Sequence, residues 1–388
     1  MTASYKAAVV GTGFIGPVHV DALRRNNVEV VGLVGSGSEA GQGRGAELGV
    51  PVYGSLQELF AAGEVDCVHI TTPNHLHAPM VKEVLAAGKH VVCEKPLAMD
   101  LSEGAELLRL AEAAGVVHAV NFNIRYYPLC HQARAMVRDG ELGRVYLIHG
   151  HYLQDWLLLE TDWNWRLDPV LGGEMRAVSD IGSHWLDLMG FVTGQRVEAV
   201  CADFATFLPV RKRPTVPLAT FSGKELSPDQ YEERPIHTED CANILLRFDG
   251  GARGVLTVSQ VSAGRKNRLG FELDGARASL AWNSERNEEL WVGRRDRASE
   301  LHLRDPGMMA PDARAVTIAP GGHAEGFLDT FRQLYKKVYG AIAAGGPPAE
   351  PDYPTFADGL TSLRLGEAIR RSASEGRWVE VSDVGAQT

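Results

Sequence analysis

The sequence predicts a two-domain protein, in which an α/β domain with a parallel sheet precedes a strand-rich domain. A chain of 388 residues is long for one ordinary domain. Over its first third, short apolar runs alternate with segments of helical spacing, and after Asn121 this alternation gives way to segments with strand periodicity. Runs of strands after runs of βα units indicate separate domains. We place the boundary between residues 122 and 123, which gives domains 1–122 and 123–388.

Composition limits the classes of partner. Hydrophobic residues make up 45% of the chain and charged residues 23%, as in soluble globular proteins. The net charge of −10 disfavours a nucleic-acid groove or an anionic membrane surface. No apolar run reaches the length of a membrane span, and the apolar start lacks a signal-peptide cleavage pattern. Five scattered cysteines read as reduced thiols. We therefore expect a cytoplasmic protein that binds neither nucleic acid nor membrane.

The first domain is predicted to be a doubly wound parallel sheet. Five apolar runs have strand length: Lys6–Val10, Val28–Val34, Asp66–Thr72, His90–Glu94 and Val116–Asn121. Helical segments separate these runs, and Gly88 and Gly115 follow two of the segments, where a left-handed cap residue is favoured. Near-continuous apolar strands alternating with helices indicate a parallel sheet covered on both faces.

A glycine motif follows the first predicted strand. Gly11 permits a tight turn, Gly13 lets a pyrophosphate approach the backbone, and Gly16 lets helix and strand pack closely. Backbone N–H groups at the helix start, around Phe14 and Ile15, would face the phosphates. An ordinary tight turn is the alternative, but the preceding strand favours a dinucleotide-binding Rossmann domain.

The end of the second predicted strand bears on the choice of cofactor. An NAD-binding domain usually has an acid there, which binds the ribose hydroxyls. This chain has Gly35 and Ser36 instead, with no acid before Glu39. Ser36, Ser38 or Arg44 could bind a 2′-phosphate. We expect NAD(P), with a small preference for NADP, although a glycine-rich loop would tolerate either cofactor.

Three residues form the candidate catalytic set. Asp180 and His184 are four residues apart, so on a helix their side chains share one face. Histidine is the usual general base near neutral pH, and the charge of Lys95 would stabilise an oxygen that becomes a carbonyl. The alternatives are a surface lysine, a solvated acid and a packed histidine. The combination of motifs favours catalysis by hydride transfer.

These motifs together resemble the glucose–fructose oxidoreductase / inositol dehydrogenase (Gfo/Idh/MocA) family over nearly the whole chain. The landmarks are Gly11–Gly16, Thr71-Thr72-Pro73-Asn74 with His77, Ala87-Gly88-Lys89-His90, Cys93-Glu94-Lys95-Pro96, and Gly173 with Asp180-Ile181-Gly182-Ser183-His184. The resemblance implies a fold class of an α/β N-terminal Rossmann domain plus an α+β C-terminal domain with a large, mainly antiparallel sheet. It also implies that Lys95, Asp180 and His184 line the substrate pocket, and that the bond between Lys95 and Pro96 is cis.

The residues beyond Asn121 support the second sheet independently. Ala242–Phe248 shows strand periodicity, and Asp249-Gly250-Gly251 supplies a turn into Gly254–Gln260, which predicts a hairpin. Further strand candidates are Val145–Leu153, Val197–Ala205, Leu269–Asp274 and Arg277–Trp282. The proline-rich stretch Pro209–Pro235 reads as a long excursion between strands, with Arg211-Lys212-Arg213 as a solvated run.

Further binding residues are assigned by position and by resemblance. Cofactor-binding candidates are Gly11, Gly13, Phe14, Ile15, Gly16, Ser36, Thr72, Pro73, Asn74, His77, Glu94, Lys95, Asn123, Trp165 and Arg166. Substrate-binding candidates are Lys95, Arg125, Tyr126, Trp163, Asp180, His184 and His323. Tryptophans mixed with carboxylates and amides over Tyr152–Asp168 suit a polyhydroxylated ring. His77 fits a helix surface equally well, and each tryptophan fits a core edge or subunit contact nearly as well.

We therefore expect an NAD(P)-dependent dehydrogenase or reductase that acts on a secondary alcohol or ketone of a sugar, glycoside or inositol, with no metal. A glycosidase that uses NAD for transient ring oxidation and a non-catalytic sugar-sensing or nucleotide-sensing regulator are the rivals. Few helices are long enough to cover the second sheet, chiefly Ala324–Ala344 and Phe356–Ser374. An open sheet face predicts a homodimer or homotetramer.

Overall fold

The computed structural model describes residues 5–35, 37–215 and 227–385. The β-strands are β1 Lys6–Val10, β2 Glu29–Val34, β3 Val52–Tyr53, β4 Cys67–Ile70, β5 His90–Cys93, β6 His118–Val120, β7 Val145–Leu153, β8 Val197–Ala205, β9 Val210–Pro214, β10 Tyr231–Pro235, β11 Cys241–Phe248, β12 Arg253–Ser259, β13 Arg268–Gly275, β14 Ser279–Asn283, β15 Glu289–Gly293, β16 Glu300–Leu303 and β17 Val379–Glu380. The α-helices are α1 Ile15–Arg25, α2 Glu39–Leu48, α3 Leu56–Ala62, α4 His77–Ala86, α5 Leu101–Ala114, α6 Pro128–Arg138, α7 Pro169–Gly172, α8 Ser183–Thr193, α9 Pro311–Arg314, α10 Phe327–Ala343 and α11 Phe356–Glu375. In the described part of the chain, no helix has both the length and the apolar character that a bilayer span requires.

The described chain divides into two compact units that do not follow one cut along the sequence. The first unit comprises the chain up to Tyr126 together with Phe327–Leu363. The second comprises Tyr127–Gly326 and the chain from Arg364. The division into residues 1–122 and 123–388 therefore differs from the structure at two places. The boundary falls four residues later, and a later segment returns to the first unit.

The first unit is built on six parallel strands in the order β3-β2-β1-β4-β5-β6, which confirms the predicted Rossmann domain. Its central strands β1 and β4 are buried almost throughout, because helices cover both faces of such a sheet. Gly88 and Gly115 adopt the left-handed conformation predicted for residues that follow a helix.

Helix α10 explains the second difference from the sequence prediction. The ring of Phe331 packs 5.7 Å from the imidazole of His19 in α1, and the ring of Tyr335 packs 5.3 Å from it, centroid to centroid. We expected this helix, over Ala324–Ala344, to help cover the second sheet. It begins three residues later and belongs to the first unit, because its aromatic face packs against α1.

The second unit contains a nine-stranded sheet in the order β16-β15-β14-β13-β7-β12-β11-β8-β17. Its strand pairs are antiparallel except for β7 with β12, which confirms the predicted mainly antiparallel sheet. One face packs on helices. Trp185 of α8 is fully buried there, and its indole N–H donates to the carbonyl of Gly270 at 3.0 Å.

The other face of this sheet carries exposed apolar side chains on several of its strands. Residues paired directly across strands point to the same face, and one register row runs Leu301, Trp291, Ala281, Glu272, His149, Val255, Leu245 and Cys201. Leu245 is 47% exposed and Leu301 is 53% exposed. Apolar side chains therefore face outward on this side of the unit.

The proline-rich excursion forms its own two-stranded sheet in the described residues. Strands β9 and β10 pair antiparallel, with Arg213 opposite Glu232. Residues 216–226 lie outside the described part of the chain. The interpretation of Arg211-Lys212-Arg213 as a solvated run is wrong for Arg211, which is fully buried and paired with Asp240 at 2.8 Å.

Candidate active site

The glycine turn after β1 has the geometry of a phosphate cradle. Gly11 has a φ of +113°, and a Cβ there would lie 2.7 Å from the carbonyl oxygen of Thr71. A Cβ on Gly16 would lie 2.4 Å from the carbonyl oxygen of Gly11. A Cβ on Gly13, in contrast, would meet no atom within 4 Å. The turn is closed against the protein at two glycines and open at the third, which fits a dinucleotide pyrophosphate beside Gly13.

The first helix begins at this turn without a competing charge. Phe14 is its N-cap residue and makes no capping hydrogen bond through its side chain. The first turn, which begins at Ile15, holds no acidic residue. The positive end of the helix dipole is therefore available to an anion, as a phosphate-binding helix requires.

The residues considered for a 2′-phosphate are only partly described. Ser36 lies outside the described residues. Ser38 caps α2, because its hydroxyl accepts a hydrogen bond from the N–H of Gly41 at 3.2 Å. Arg44 pairs with Glu47 at 2.6 Å on the exposed surface of the same helix. Both side chains have local partners.

The segment after β4 places its candidates beside the end of β5. Asn74 is buried in a short 3₁₀ turn. His77 is only 1% exposed, with its Nδ1 2.6 Å from the carbonyl oxygen of Pro96 and its Nε2 2.9 Å from that of Thr72. Burial lowers the pKa of His77, although the two carbonyl contacts oppose the shift. The helix-surface alternative for His77 is wrong, because this imidazole links the segments that follow β4 and β5.

Glu94 is a buried hydrogen-bond centre within the first unit. Its Oε1 accepts from His19 Nε2 at 3.0 Å and from Asn121 Nδ2 at 2.5 Å, and its Oε2 accepts from the N–H of Lys95 at 3.2 Å. Burial raises the pKa of this carboxyl, but the hydrogen bonds and charges of His19 and Lys95 outweigh burial, and the pKa falls below its usual value. Glu94 was proposed from the sequence as a cofactor contact. In the structure, both of its carboxylate oxygens accept hydrogen bonds from protein donors.

A chain of buried side chains extends from Glu94. His19 Nδ1 lies 3.1 Å from His69 Nδ1, and His69 Nε2 lies 3.2 Å from the hydroxyl of Tyr339. Burial holds the pKa of His69 well below its usual value. The Glu94 carboxylate can only accept, so His19 donates to it from Nε2.

Lys95 follows directly at the end of β5. The bond between Lys95 and Pro96 is cis, as the resemblance predicts. Its backbone N–H is held by Glu94, so the position of the lysine depends on the buried cluster. The side chain lies at a carboxyl edge of the parallel sheet, where ligands bind in folds of this kind.

Asn123, Arg125 and Tyr126 are anchored by contacts within the first unit. The Asn123 amide donates to Thr330 at 2.7 Å, and Arg125 pairs with Asp358 at 2.6 Å. The Tyr126 hydroxyl donates to the carbonyl of Asp352 at 3.0 Å. These polar groups attach the returning segment 327–363 to the chain beyond β6. The contacts support a structural role for residues that we had assigned to ligand binding.

In the second unit, Asp180 is held by two donors. Its Oδ1 accepts from Arg166 Nε at 3.0 Å, and its Oδ2 accepts from Gln260 Nε2 at 2.9 Å. The backbone around Asp180, over Val178–Gly182, is a π-helix and not the regular α-helix that we expected. Such short π segments occur often at functional sites.

His184 lies in the first turn of α8, which follows the π-helix without a break. Its side chain is mostly buried, and its imidazole lies 6.4 Å from the ring of Tyr152, centroid to centroid. Tyr152 donates its hydroxyl proton to Asn267 at 2.7 Å, and burial raises its pKa. The second unit thus brings Asp180 and His184 onto consecutive turns, while Lys95 belongs to the first unit.

Two family models match most of the chain. Residues 5–122 match the model for an oxidoreductase family with an NAD-binding Rossmann fold, and residues 130–281 match the GFO/IDH/MocA C-terminal domain. The chain belongs to the GFO/IDH/MocA family. It is therefore an NAD-binding oxidoreductase, and hydride transfer on a sugar or cyclitol is the activity this membership gives.

Individual relatives cover most of the chain. Levoglucosan dehydrogenase of Pseudarthrobacter phenanthrenivorans is 31% identical over 83% of this chain and 82% of its own length. A levoglucosan dehydrogenase solved with NADH and L-sorbose is 27% identical, with a TM-score of 0.85 over 97% of this chain and 99% of its own. An inositol dehydrogenase homologue from Azotobacter vinelandii, solved with NAD⁺, is 28% identical, with a TM-score of 0.83 over 98% of both chains.

The remaining ligand candidates of this family member have local protein contacts. Trp163 packs against a small apolar cluster of Leu157, Leu167 and Ile236, which supports the core-edge alternative. The guanidinium carbon of Arg166 lies 4.4 Å from the centre of the Trp165 ring, and the guanidinium is paired with Asp180. His323 lies in an exposed turn before α10, and its carbonyl accepts from Arg304 at 2.5 Å.

Among the described residues, three side chains of types that commonly bind metal ions lie close together. His149, Glu272 and Asp274 place one ligand atom each within 4.8 Å of one another. They lie half-buried on adjacent strands β7 and β13. His149 Nε2 and Asp274 Oδ2 approach to 3.5 Å, which is a contact between side chains of neighbouring strands.

Proposed function

We propose that Lys95, Asp180 and His184 carry hydride transfer between a nicotinamide cofactor and a secondary alcohol or ketone of a sugar, glycoside or inositol. The observation that carries these roles is the environment of Asp180. Two donors, one of them cationic, hold its carboxylate one turn before the largely buried imidazole of His184. Donors to a carboxylate stabilise its charged form, which is the form that the proposed role of Asp180 requires.

The roles follow from the chemistry of the side chains. In oxidation, the hydrogen of the C–H bond leaves with the bonding electron pair as a hydride. The O–H proton moves to His184, which acts as general base. A nicotinamide cofactor, when bound, would accept that hydride. The ammonium group of Lys95 stabilises the negative charge that develops on the substrate oxygen, and Asp180 stabilises the imidazolium. In reduction, the same groups act in reverse, with His184 returning its proton to the new hydroxyl.

The choice between NAD and NADP is the finer part of the proposal. The relatives solved with a cofactor contain NADH or NAD⁺. This chain has no acidic residue between Val34 and Glu39, so nothing there repels a 2′-phosphate. We propose that it accepts both cofactors, with a small preference for NADP.

An activity screen tests the function. Levoglucosan, 1,5-anhydrofructose, myo-inositol and common pyranoses would be offered with each cofactor in both directions, with the absorbance of the reduced cofactor as readout. Lys95→Ala and His184→Ala should lower turnover by about a hundredfold or more, with NADH affinity kept, because a base and a charge partner act mainly in the transition state. Near-wild-type turnover in either variant would remove that residue from the mechanism. Glycoside cleavage without net cofactor reduction would favour the glycosidase alternative.

We also propose that the outward face of the nine-stranded sheet pairs with a second copy of the chain, giving a homodimer or homotetramer. Trp291, Val255 and Leu245 are partly or largely exposed along one register row. Exposed apolar rows of this kind are typical of subunit interfaces. Light scattering on the wild-type protein and on Leu245→Glu would test it, and a wild-type monomer at micromolar concentration would reject it.

All five cysteines are free, in keeping with a cytoplasmic location.

A further inference from the structure

The side chain of Gln260 is committed to Asp180. Gln260 follows the last residue of β12 and is fully buried. Its Nε2 donates to one carboxylate oxygen of Asp180, while Arg166 serves the other oxygen. The two oxygens of Asp180 therefore have different donors, and together these donors fix both the position and the rotation of the carboxylate.

The backbone of Gln260 is held on both sides. Its N–H donates to the carbonyl of Asp240 at 3.0 Å, and its carbonyl accepts from the N–H of Leu157 at 3.3 Å. The amide group is therefore presented from a fixed backbone. A side chain held in this way can keep another group in place with little loss of conformational entropy at the moment of reaction.

The neighbouring Glu239 holds the backbone beneath Asp180. The Glu239 carboxylate accepts from the N–H of Arg176 at 3.0 and 3.1 Å and from that of Val178 at 2.8 Å. The N–H of Asp180 in turn donates to the carbonyl of Arg176 at 2.7 Å. Glu239 thus fixes the start of the π-helix from which the Asp180 side chain projects.

Consecutive residues 239 and 240 therefore support both members of the pair. Glu239 supports the backbone of Asp180, and the Asp240 carbonyl supports that of Gln260. The Asp240 carboxylate is paired with the buried guanidinium groups of Arg176 and Arg211. This network of buried charges fixes the distance between Asp180 and Gln260 through the protein backbone.

The amide oxygen of Gln260 indicates that this side chain is not kept for stability alone. It is buried and has no hydrogen-bond partner among the residues that the structure describes. A buried polar atom left without a partner costs about 1–3 kcal/mol. A residue kept only for stability would satisfy both ends of the amide, whereas this one satisfies only the end that faces Asp180.

We propose that Gln260 is a positioning residue for the reaction, acting through Asp180 with Glu239 and Asp240 as its support. The inference rests on the proposed function of Asp180. The Gln260 donor holds the carboxylate ionised and oriented one turn before His184. Removing the donor should therefore alter turnover and its pH dependence, and leave cofactor binding unchanged.

The test compares Gln260→Met and Gln260→Glu with the wild type, using NAD⁺ and the alcohol of highest turnover in the screen. Methionine keeps the volume and removes the donor, so kcat should fall about tenfold and the acid limb of its pH profile should move upward. Glutamate places a second carboxylate beside Asp180, and the acid limb should move upward by about one pH unit or more. NADH affinity, followed by fluorescence, should stay within about twofold in both variants.

Thr257→Val on the same strand is the matched control, because the Thr257 hydroxyl is exposed and contacts only Asn243 among described side-chain hydrogen-bond partners. Asp180→Asn completes a double-mutant cycle, in which Gln260→Met should add no further loss. A defective Asp180→Asn beside wild-type kinetics in both Gln260 variants overturns the positioning role alone. Normal turnover in Asp180→Asn overturns the proposed function. Unfolding of both Gln260 variants, with the control folded, would assign Gln260 to stability and also overturn the positioning role.

Discussion

His19 donates a hydrogen bond to Glu94 across 3.0 Å, and both side chains are almost wholly removed from solvent. The pair connects the helix of the glycine turn with the strand end that carries Lys95. Because His69 and Tyr339 continue the chain, a single buried hydrogen-bonded path runs from the edge of the sheet to helix α10.

Replacing His19 by Leu should lower the free energy of unfolding by about 2–3 kcal/mol, because a buried carboxylate loses a donor and His69 loses a hydrogen-bond partner. Tyr339→Phe removes only the far end of the chain and should cost about 1 kcal/mol. Urea denaturation measures both, with the exposed His237→Gln as control. Equal losses in the His19 and Tyr339 variants would contradict the chain as drawn.

His118 should make the protein less stable in acid. Burial lowers its pKa to about 4, against the charge of Asp358, which raises it. The unfolded chain therefore takes up a proton near pH 6.5 that the folded chain takes up only near pH 4, so stability falls as the pH drops through this window, by about 2 kcal/mol at pH 5.

His118→Asn tests this without removing the local hydrogen bond. The Nδ1 of His118 accepts from the N–H of Phe356 at 3.2 Å, and an asparagine oxygen can take its place. The variant should lose less stability between pH 7 and pH 5 than the wild type, as measured by denaturant titration at each pH. Parallel losses in the two proteins would show that His118 is not responsible.

The glycines of the first turn should separate stability from cofactor binding. Gly13→Ala adds a methyl group in open space, so the free protein should melt normally while NADH affinity falls. Gly16→Ala places the methyl group 2.4 Å from the Gly11 carbonyl oxygen, so the melting temperature of the free protein should fall. Thermal melts with and without NADH distinguish the two effects. Undiminished NADH affinity in Gly13→Ala would place the pyrophosphate elsewhere.

Gly35→Asp should shift preference toward NAD, because a carboxylate at this strand end repels a 2′-phosphate. A Cβ at Gly35 lies 3.0 Å from the methyl carbon of Thr12, so a small adjustment is needed. The ratio of kcat/KM for NAD and NADP is the measurement, with Gly35→Ala as the matched control for that adjustment. A strong NAD preference already in the wild-type protein would reject the interpretation of the missing acid.

The sequence predicted the elements that depend on local pattern. The buried strands are short apolar runs, and the glycine turn has a fixed spacing, so both could be recognised before the fold was known. The helix Phe356–Glu375 was placed within one residue of its end.

Long-range partnerships could not be predicted from the same information. His19 occupies a helical position that looks no different from a surface site until His69 and Glu94 lie beside it. Arg211 belongs to a run of three basic residues, and only Asp240 makes it a buried one. Gln260 follows the last residue of a strand, and nothing in its neighbours along the chain indicates that its amide reaches Asp180.

The return of residues 327–363 to the first unit affects how the protein is made. The nucleotide-binding half lacks α10, with its Phe331 and Tyr335 rings, until the ribosome has passed nearly the whole of the second unit. While the nine-stranded sheet is synthesised, His19 and His69 lack the aromatic rings that pack against them in the folded protein. A recombinant fragment that stops at Tyr126 would keep the glycine turn but would expose the hydrogen-bonded side chains of His19 and His69 to water. An isolated cofactor domain therefore needs residues 327–363 fused back to it.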